Sequence, residues 1–122
     1  MSKIKKEERP WGRFFVINET EKYKLKRIEV EPNQRLSYQY HRYRSEVWTI
    51  IEGEGTINLN GTLSKLSEGE TILIPQGSKH RIESKYKEKL VFIELQTGSY
   101  FGEDDIVRVQ DDHDRPEKHE SE

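Results

Sequence analysis

Gln39 and His41 stand two residues apart, Glu46 follows after Arg42-Tyr43-Arg44-Ser45, and His80 comes after the turn Pro75-Gln76-Gly77-Ser78-Lys79. On a β-strand, residues i and i+2 project from one face, with Cα atoms about 7 Å apart. The connection before Glu46 is short enough to return an antiparallel strand beside the first two residues. Two neutral imidazoles, an amide oxygen and one carboxylate form a mixed nitrogen and oxygen donor set, suited to Zn, Mn, Fe, Co or Ni. With a divalent ion the set keeps a net positive charge and favours an anionic or oxygen-rich ligand. On spacing alone, the same residues also fit a hydrogen-bond network in a pocket, or unconnected surface groups.

Glu94 is the second chemical candidate. It lies in Leu90-Val91-Phe92-Ile93-Glu94-Leu95, out of phase with Ile93 and Leu95, and so shares a face with Phe92 and Gln96. A carboxyl in apolar surroundings has a raised pKa and can act as a general base. An ion pair with an arginine is the competing reading.

These residues sit on segments with a period of two. Leu36, Tyr38 and Tyr40 alternate with Arg35, Ser37, Gln39 and His41, and short β-branched or aromatic runs follow at 47–51, 56–59, 71–74 and 90–95. Asn60-Gly61 is a type I′ hairpin signal. No segment predicts a helix of useful length, so the pattern predicts an all-β sandwich or barrel.

Composition bounds the rest. The chain has 122 residues, 31% hydrophobic and 36% charged, against roughly 45–50% and 25% in average soluble domains. Aromatic residues at 10% argue against disorder. Charge gathers at the ends, which predicts a charged extension over 1–8, a single domain over 9–110 and a charged tail over 111–122. A small barrel whose inner face lines a polar cavity accounts for the remaining excess. With 21 Lys+Arg against 23 Asp+Glu, the chain does not resemble a basic nucleic-acid module. No cysteine is present, so thiolate sites and disulfides are excluded. The sequence shows neither a secretory signal nor an apolar run long enough to span a bilayer, and a soluble, cytoplasmic protein is expected.

Motif by motif, the chain resembles the cupins, which are double-stranded β-helix (jelly-roll-like) barrels. Asn33-x5-Gln39-x-His41-x4-Glu46-x6-Gly53 is similar to the first cupin motif, with Asn33 for the leading Gly and Gln39 for the first His. Gly69-x5-Pro75-x-Gly77-x2-His80 matches the second. The resemblance is specifically to the cupin domain of type II phosphomannose isomerases. Arg9-Pro10-Trp11-Gly12, Lys24-x2-Arg27-Ile28, Arg44-x-Glu46-x-Trp48 and Gly98-x-Tyr100-x-Gly102-Glu103-Asp104-Asp105-Ile106-Val107-Arg108 carry it, and a Gln before the His is common in that family.

The resemblance implies interconversion of mannose 6-phosphate and fructose 6-phosphate. It also implies a divalent metal, zinc first, with Co, Mn or Ni as alternatives, on Gln39, His41, Glu46 and His80. Such chemistry needs a base near C1 and C2, an electrophile for the oxyanion and a cationic clamp on the phosphate. Glu94 is expected as the base, and Lys24 and Arg35 as the clamp. A solvated strand face is the alternative for Lys24. Arg115 closes Asp111-Asp112-His113-Asp114-Arg115, where the family has a catalytic Arg after Asp-x-Tyr-Gly. A non-catalytic metal- or sugar-binding cupin and a metal-dependent oxygenase are the competing functions. A homodimer is expected, with residues around Trp11 exchanged between subunits.

Overall fold

The computed structural model describes residues 4–85 and 87–113, and those residues are all-β, without a helix. Arg115 and the rest of the tail beyond His113 lie outside the described residues. Eleven strands follow in chain order: β1 (Lys5–Arg9), β2 (Gly12–Glu19), β3 (Tyr23–Val30), β4 (Tyr38–Tyr40), β5 (Arg44–Glu52), β6 (Gly55–Leu59), β7 (Thr62–Leu66), β8 (Thr71–Ile74), β9 (His80–Ser84), β10 (Leu90–Gly98) and β11 (Val107–Gln110). They form a six-stranded sheet, β1-β2-β3-β10-β5-β8, and a five-stranded sheet, β11-β4-β9-β6-β7, antiparallel throughout.

Each sheet turns one face inward. Phe14, Ile28, Trp48, Ile50 and Phe92 of the larger sheet share one buried cluster with Ile57 and Ile82 of the smaller. The Trp48 and Phe92 rings lie 4.5 Å apart between centroids. Asn60 and Gly61 both take positive φ (52° and 93°) where Leu59 pairs with Thr62, the type I′ hairpin that Asn-Gly predicts. The 35–41 segment is strand only from Tyr38 to Tyr40, and Arg35 makes a single bridge to Glu83.

Residues 5–8, expected as part of a charged extension, are in the sheet. Lys5 pairs with Val16 and Arg9 with Gly12. A short strand made wholly of charged residues, Lys-Lys-Glu-Glu-Arg, blunts this edge of the sheet, because an unpaired edge would otherwise recruit another chain. Trp11, between β1 and β2, is 6% exposed and packs in this chain's own core.

On β3, Glu29 accepts hydrogen bonds from Arg13 and Arg27, each at 3.0 Å, with Lys89 at 3.2 Å. Burial pushes its carboxyl up, but the bonds from Arg27, Arg13 and Lys89 outweigh that and bring it from 4.5 to about 2. A group depressed on folding stabilises the fold above its unfolded pKa, and the contribution is lost as pH falls toward the folded one. Glu29→Gln should therefore flatten the acid loss of stability between pH 4.5 and about 2. Urea midpoints at pH 7 and pH 3 check this. A Gln variant as acid-sensitive as the parent would refute it.

Candidate functional site

Strand parity brings the donors together. On β5, Arg44, Glu46, Trp48 and Ile50 face inward, while on β10 Phe92, Glu94 and Gln96 do so. His41 follows β4, and His80 opens β9, where Gln39 is its register partner. Glu46 lies opposite Gln96 on one side and Ile74 on the other. His41, Glu46 and His80 are each at most 3% exposed, and one donor atom from each lies within 4.8 Å of the others.

Both imidazoles are held in one orientation. His41 Nδ1–H donates to the Asp105 carbonyl at 2.6 Å, and His80 Nδ1–H to the Ser78 carbonyl at 2.9 Å. This leaves both Nε2 lone pairs turned toward Glu46, at 3.2 Å from His41 and 3.9 Å from His80. Burial drives the His41 pKa down to about 4 and lowers that of His80, so both rings are neutral near pH 7, the form that ligates metals. Burial pushes the Glu46 carboxyl up, but His41, Arg44 and His80 hold it well below the usual carboxylate range.

A divalent ion fits this set. His80 Nε2 is buried without a hydrogen-bond partner, and orphaned buried nitrogens are rare unless something else satisfies them. Two imidazole nitrogens and a carboxylate, each oriented by an outer hydrogen bond, form a donor set typical of zinc. Gln39 borders the same cavity, but its oxygen accepts from the Ser37 hydroxyl at 2.5 Å, leaving its amide nitrogen 3.5 Å from His41 Nε2. A half-turn of the amide exchanges the two atoms and would bring the oxygen to the site.

The cavity runs from Gln39, His41 and Glu46 past Glu94, Lys26, Arg44, Glu103 and Arg108 to Arg9 and Trp11. Glu94 is 4% exposed and accepts from Gln96 Nε2 at 2.6 Å. Burial and the Glu46 carboxylate push its carboxyl up. Arg44 bridges the two halves, donating from Nε to Glu46 at 2.9 Å and from Nη2 to His41 Nε2 at 3.3 Å.

The structure corrects the expected clamp. Arg35 is turned to the exterior, where its guanidinium donates two bonds to Asp112, at 2.6 and 2.9 Å, and it does not line the cavity. Its segment is not a regular strand, so alternation does not carry it inward. Lys24 does turn inward but does not line the cavity; its Nζ donates to Glu103 at 2.7 Å and to the Phe101 carbonyl at 3.1 Å, and Lys26 Nζ lies 2.7 Å from the same Glu103 oxygen. The cations that reach the cavity are Lys26, Arg44, Arg108 and Arg9. Lys26 has the parity of Lys24, so alternation alone could have found it. Asp105 carried no such signal. Its carboxylate accepts the backbone N–H groups of Arg42 and Tyr43, at 2.9 and 3.0 Å, while its carbonyl orients His41.

Known proteins share this architecture. The Mannose-6-phosphate isomerase C-terminal family matches residues 1–111. A mannose-1-phosphate guanylyltransferase, ManC, of Salmonella typhimurium is 42% identical over 107 residues, 88% of this chain and 22% of that protein. The chain thus spans about a fifth of the length of such curated relatives. Among solved structures, the capsular polysaccharide assembling protein CapF of Staphylococcus aureus superposes with a TM-score of 0.77 at 17% identity, over 90% of this chain and 32% of that one. A double-stranded β-helix protein of Klebsiella pneumoniae does so with 0.68 at 21% identity, over 76% and 79%. The inward-facing donors therefore sit in a cupin barrel, and the chain belongs to the mannose-6-phosphate isomerase C-terminal domain family.

Proposed function

We propose that the protein is a metal-dependent aldose–ketose isomerase that interconverts mannose 6-phosphate and fructose 6-phosphate. The observation that carries this reading is that His41 and Glu46, which cluster with His80, line the same cavity as a buried carboxyl pushed up at Glu94 and the cations Lys26, Arg44 and Arg108. A divalent ion on those donors, zinc first and Co, Mn or Ni as alternatives, supplies Lewis acidity toward the sugar oxygens.

The chain's own residues do the rest. The Glu94 carboxylate takes the proton from C2 of the aldose, leaving an enediolate across C1 and C2. The same carboxyl returns the proton to C1, while the hydroxyl hydrogen on O2 passes to O1 and O2 becomes the ketose carbonyl. Arg44 lies beside Glu46 and His41 and offers positive charge to the developing oxyanion. Lys26 and Arg108 hold the phosphate, and Arg115 joins the proposal on the sequence resemblance.

Protein loaded in turn with Zn, Co, Mn and Ni should convert mannose 6-phosphate to fructose 6-phosphate, and His80→Ala should not. Failure of conversion with all four metals would leave the non-catalytic binding module. Lys26→Met keeps the apolar stem but removes the ammonium, whose Nζ lies 4.0 Å from the Phe14 ring centroid. It should raise KM by about tenfold or more, since hydrogen bonds to charged groups contribute about 1.5–3 kcal/mol. An unchanged KM would take Lys26 out of the clamp.

A further inference from the structure

Among the described residues, three carboxyl groups line the cavity: Glu46, Glu94 and Glu103. Glu46 and Glu94 have parts in the proposed isomerisation, as metal ligand and as base. Glu103 has none, and a carboxylate is an unexpected neighbour for a phosphate. Burial pushes its carboxyl up, but Lys26 and Lys24 outweigh that and bring it down to about 2, so it is ionised near neutrality. One oxygen, Oε2, meets both ammonium groups at 2.7 Å, and Lys24 Nζ also donates to the Phe101 carbonyl at 3.1 Å.

The three groups are not equally held. The side chains of Lys24 and Lys26 are 7% and 4% exposed, whereas that of Glu103 is 35% exposed. Both lysines turn inward from β3, a strand paired on both of its edges. Glu103 lies instead on a turn, in which the Asp105 N–H donates to the Gly102 carbonyl at 3.1 Å. The turn itself is tied down on either side of Glu103. Phe101 is buried before it, and after it the Asp105 carboxylate accepts the Arg42 and Tyr43 N–H groups. Of the three charged groups, the Glu103 carboxylate alone has a path to water. Two buried ammonium groups without a counter-charge would be strongly destabilising, so the pair needs an anion at all times.

We propose that Glu103 is a built-in stand-in for the ligand's phosphate. Its carboxylate neutralises Lys24 and Lys26 in the free protein and gives way to a phosphoryl oxygen when a sugar phosphate binds. The proposal deepens the isomerase reading, and rests on it in taking the ligand to be a phosphate ester. It makes Glu103 a specificity-determining residue. Free mannose carries no anion, so displacing the carboxylate for it would strip both lysines of their counter-charge. A phosphate dianion replaces the charge it removes and offers further oxygens to Arg108 on the same cavity.

Calorimetric titration of the chelator-treated chain with inorganic phosphate tests this without turnover or a metal. Glu103→Gln should bind phosphate at least about tenfold more tightly than the parent, the worth of one charge-assisted contact freed from competition. Without phosphate the variant should melt below the parent, and phosphate should raise its Tm further than the parent's. A residue that merely props the lysines in place would give the reverse, because its loss would weaken phosphate binding. Asp104→Asn, which removes a charge from the exposed neighbouring position, should leave phosphate affinity at the parent value. Glu103→Asp keeps the charge but draws it back from the lysines. It should show a smaller gain in the same direction, and it carries the test should the Gln variant fail to fold. Equal or weaker phosphate binding by folded Glu103 variants would overturn the proposal. So would a parent and variants that all fail to bind phosphate. The isomerase reading is judged separately, by conversion of mannose 6-phosphate by the metal-loaded parent.

Discussion

Glu94→Gln is expected to lower isomerase turnover by about 10²- to 10⁴-fold, the range that a positioned general base contributes. The substitution keeps the size of the side chain and the contact with Gln96, 2.6 Å away. It removes the only part that can carry a proton to and from carbon. The effect on the fold runs the other way. Burial, with the Glu46 carboxylate second, pushes the Glu94 carboxyl up. A carboxyl raised on folding is more protonated in the native chain than in the unfolded one between its ordinary 4.5 and the raised value. Stability therefore falls with rising pH across that window. Gln carries no such penalty, so the variant's Tm at pH 8 should equal or exceed that of the parent. Lost turnover with an undiminished Tm and unchanged zinc content separates chemistry from folding. Turnover within about threefold of the parent would remove Glu94 as the base, since even the low end of general-base catalysis is larger.

The features that follow from alternation were legible in the sequence, and those that depend on chain path were not. Gln39 and His41 could be paired because a strand puts i and i+2 on one face, and Glu46 and His80 joined them through the short connection after His41 and the 75–79 turn before β9. The out-of-phase position of Glu94 between Ile93 and Leu95 likewise gave its partners Phe92 and Gln96. Parity, however, divides a strand's residues into two sets without saying which set is inside. Lys26 shares the strand whose solvated face was the alternative for Lys24, yet it is 4% exposed, because the cavity end of this sheet buries its charges. Arg35 was misplaced for a different reason: only three residues of its segment are strand, and Asp112 from the far end of the chain holds its guanidinium. Asp105 acts across 64 residues on His41, a separation that no local pattern reports.

In metal-free protein, Glu46→Gln should cost about 3–5 kcal/mol, the range for removing one member of a buried ion pair. Glu46 is 2% exposed, and its two oxygens are shared among several donors. Oε2 accepts from Arg44 Nε at 2.9 Å and lies 3.2 Å from His41 Nε2, while Oε1 accepts from Trp48 Nε1 at 2.9 Å. An amide can keep one of those bonds but must turn an N–H toward another donor. It also leaves the Arg44 guanidinium, 5% exposed, facing a neutral group in a place water does not reach. Glu94 does not substitute for the lost charge, because burial raises its pKa and keeps part of it protonated near neutrality. For a domain of this size the loss corresponds to a Tm lower by more than about 10 °C. The same substitution tests the metal site independently of turnover. A ligand that binds only the folded state raises Tm by mass action. Added zinc should therefore raise the parent's Tm and leave that of Glu46→Gln almost unmoved. Calorimetry with chelator and then with excess zinc reads both effects on one sample. If zinc raised both melting temperatures equally, Glu46 would not be a ligand. If the metal-free variant melted with the parent, the Glu46–Arg44 pair would not be what holds the cavity wall in place.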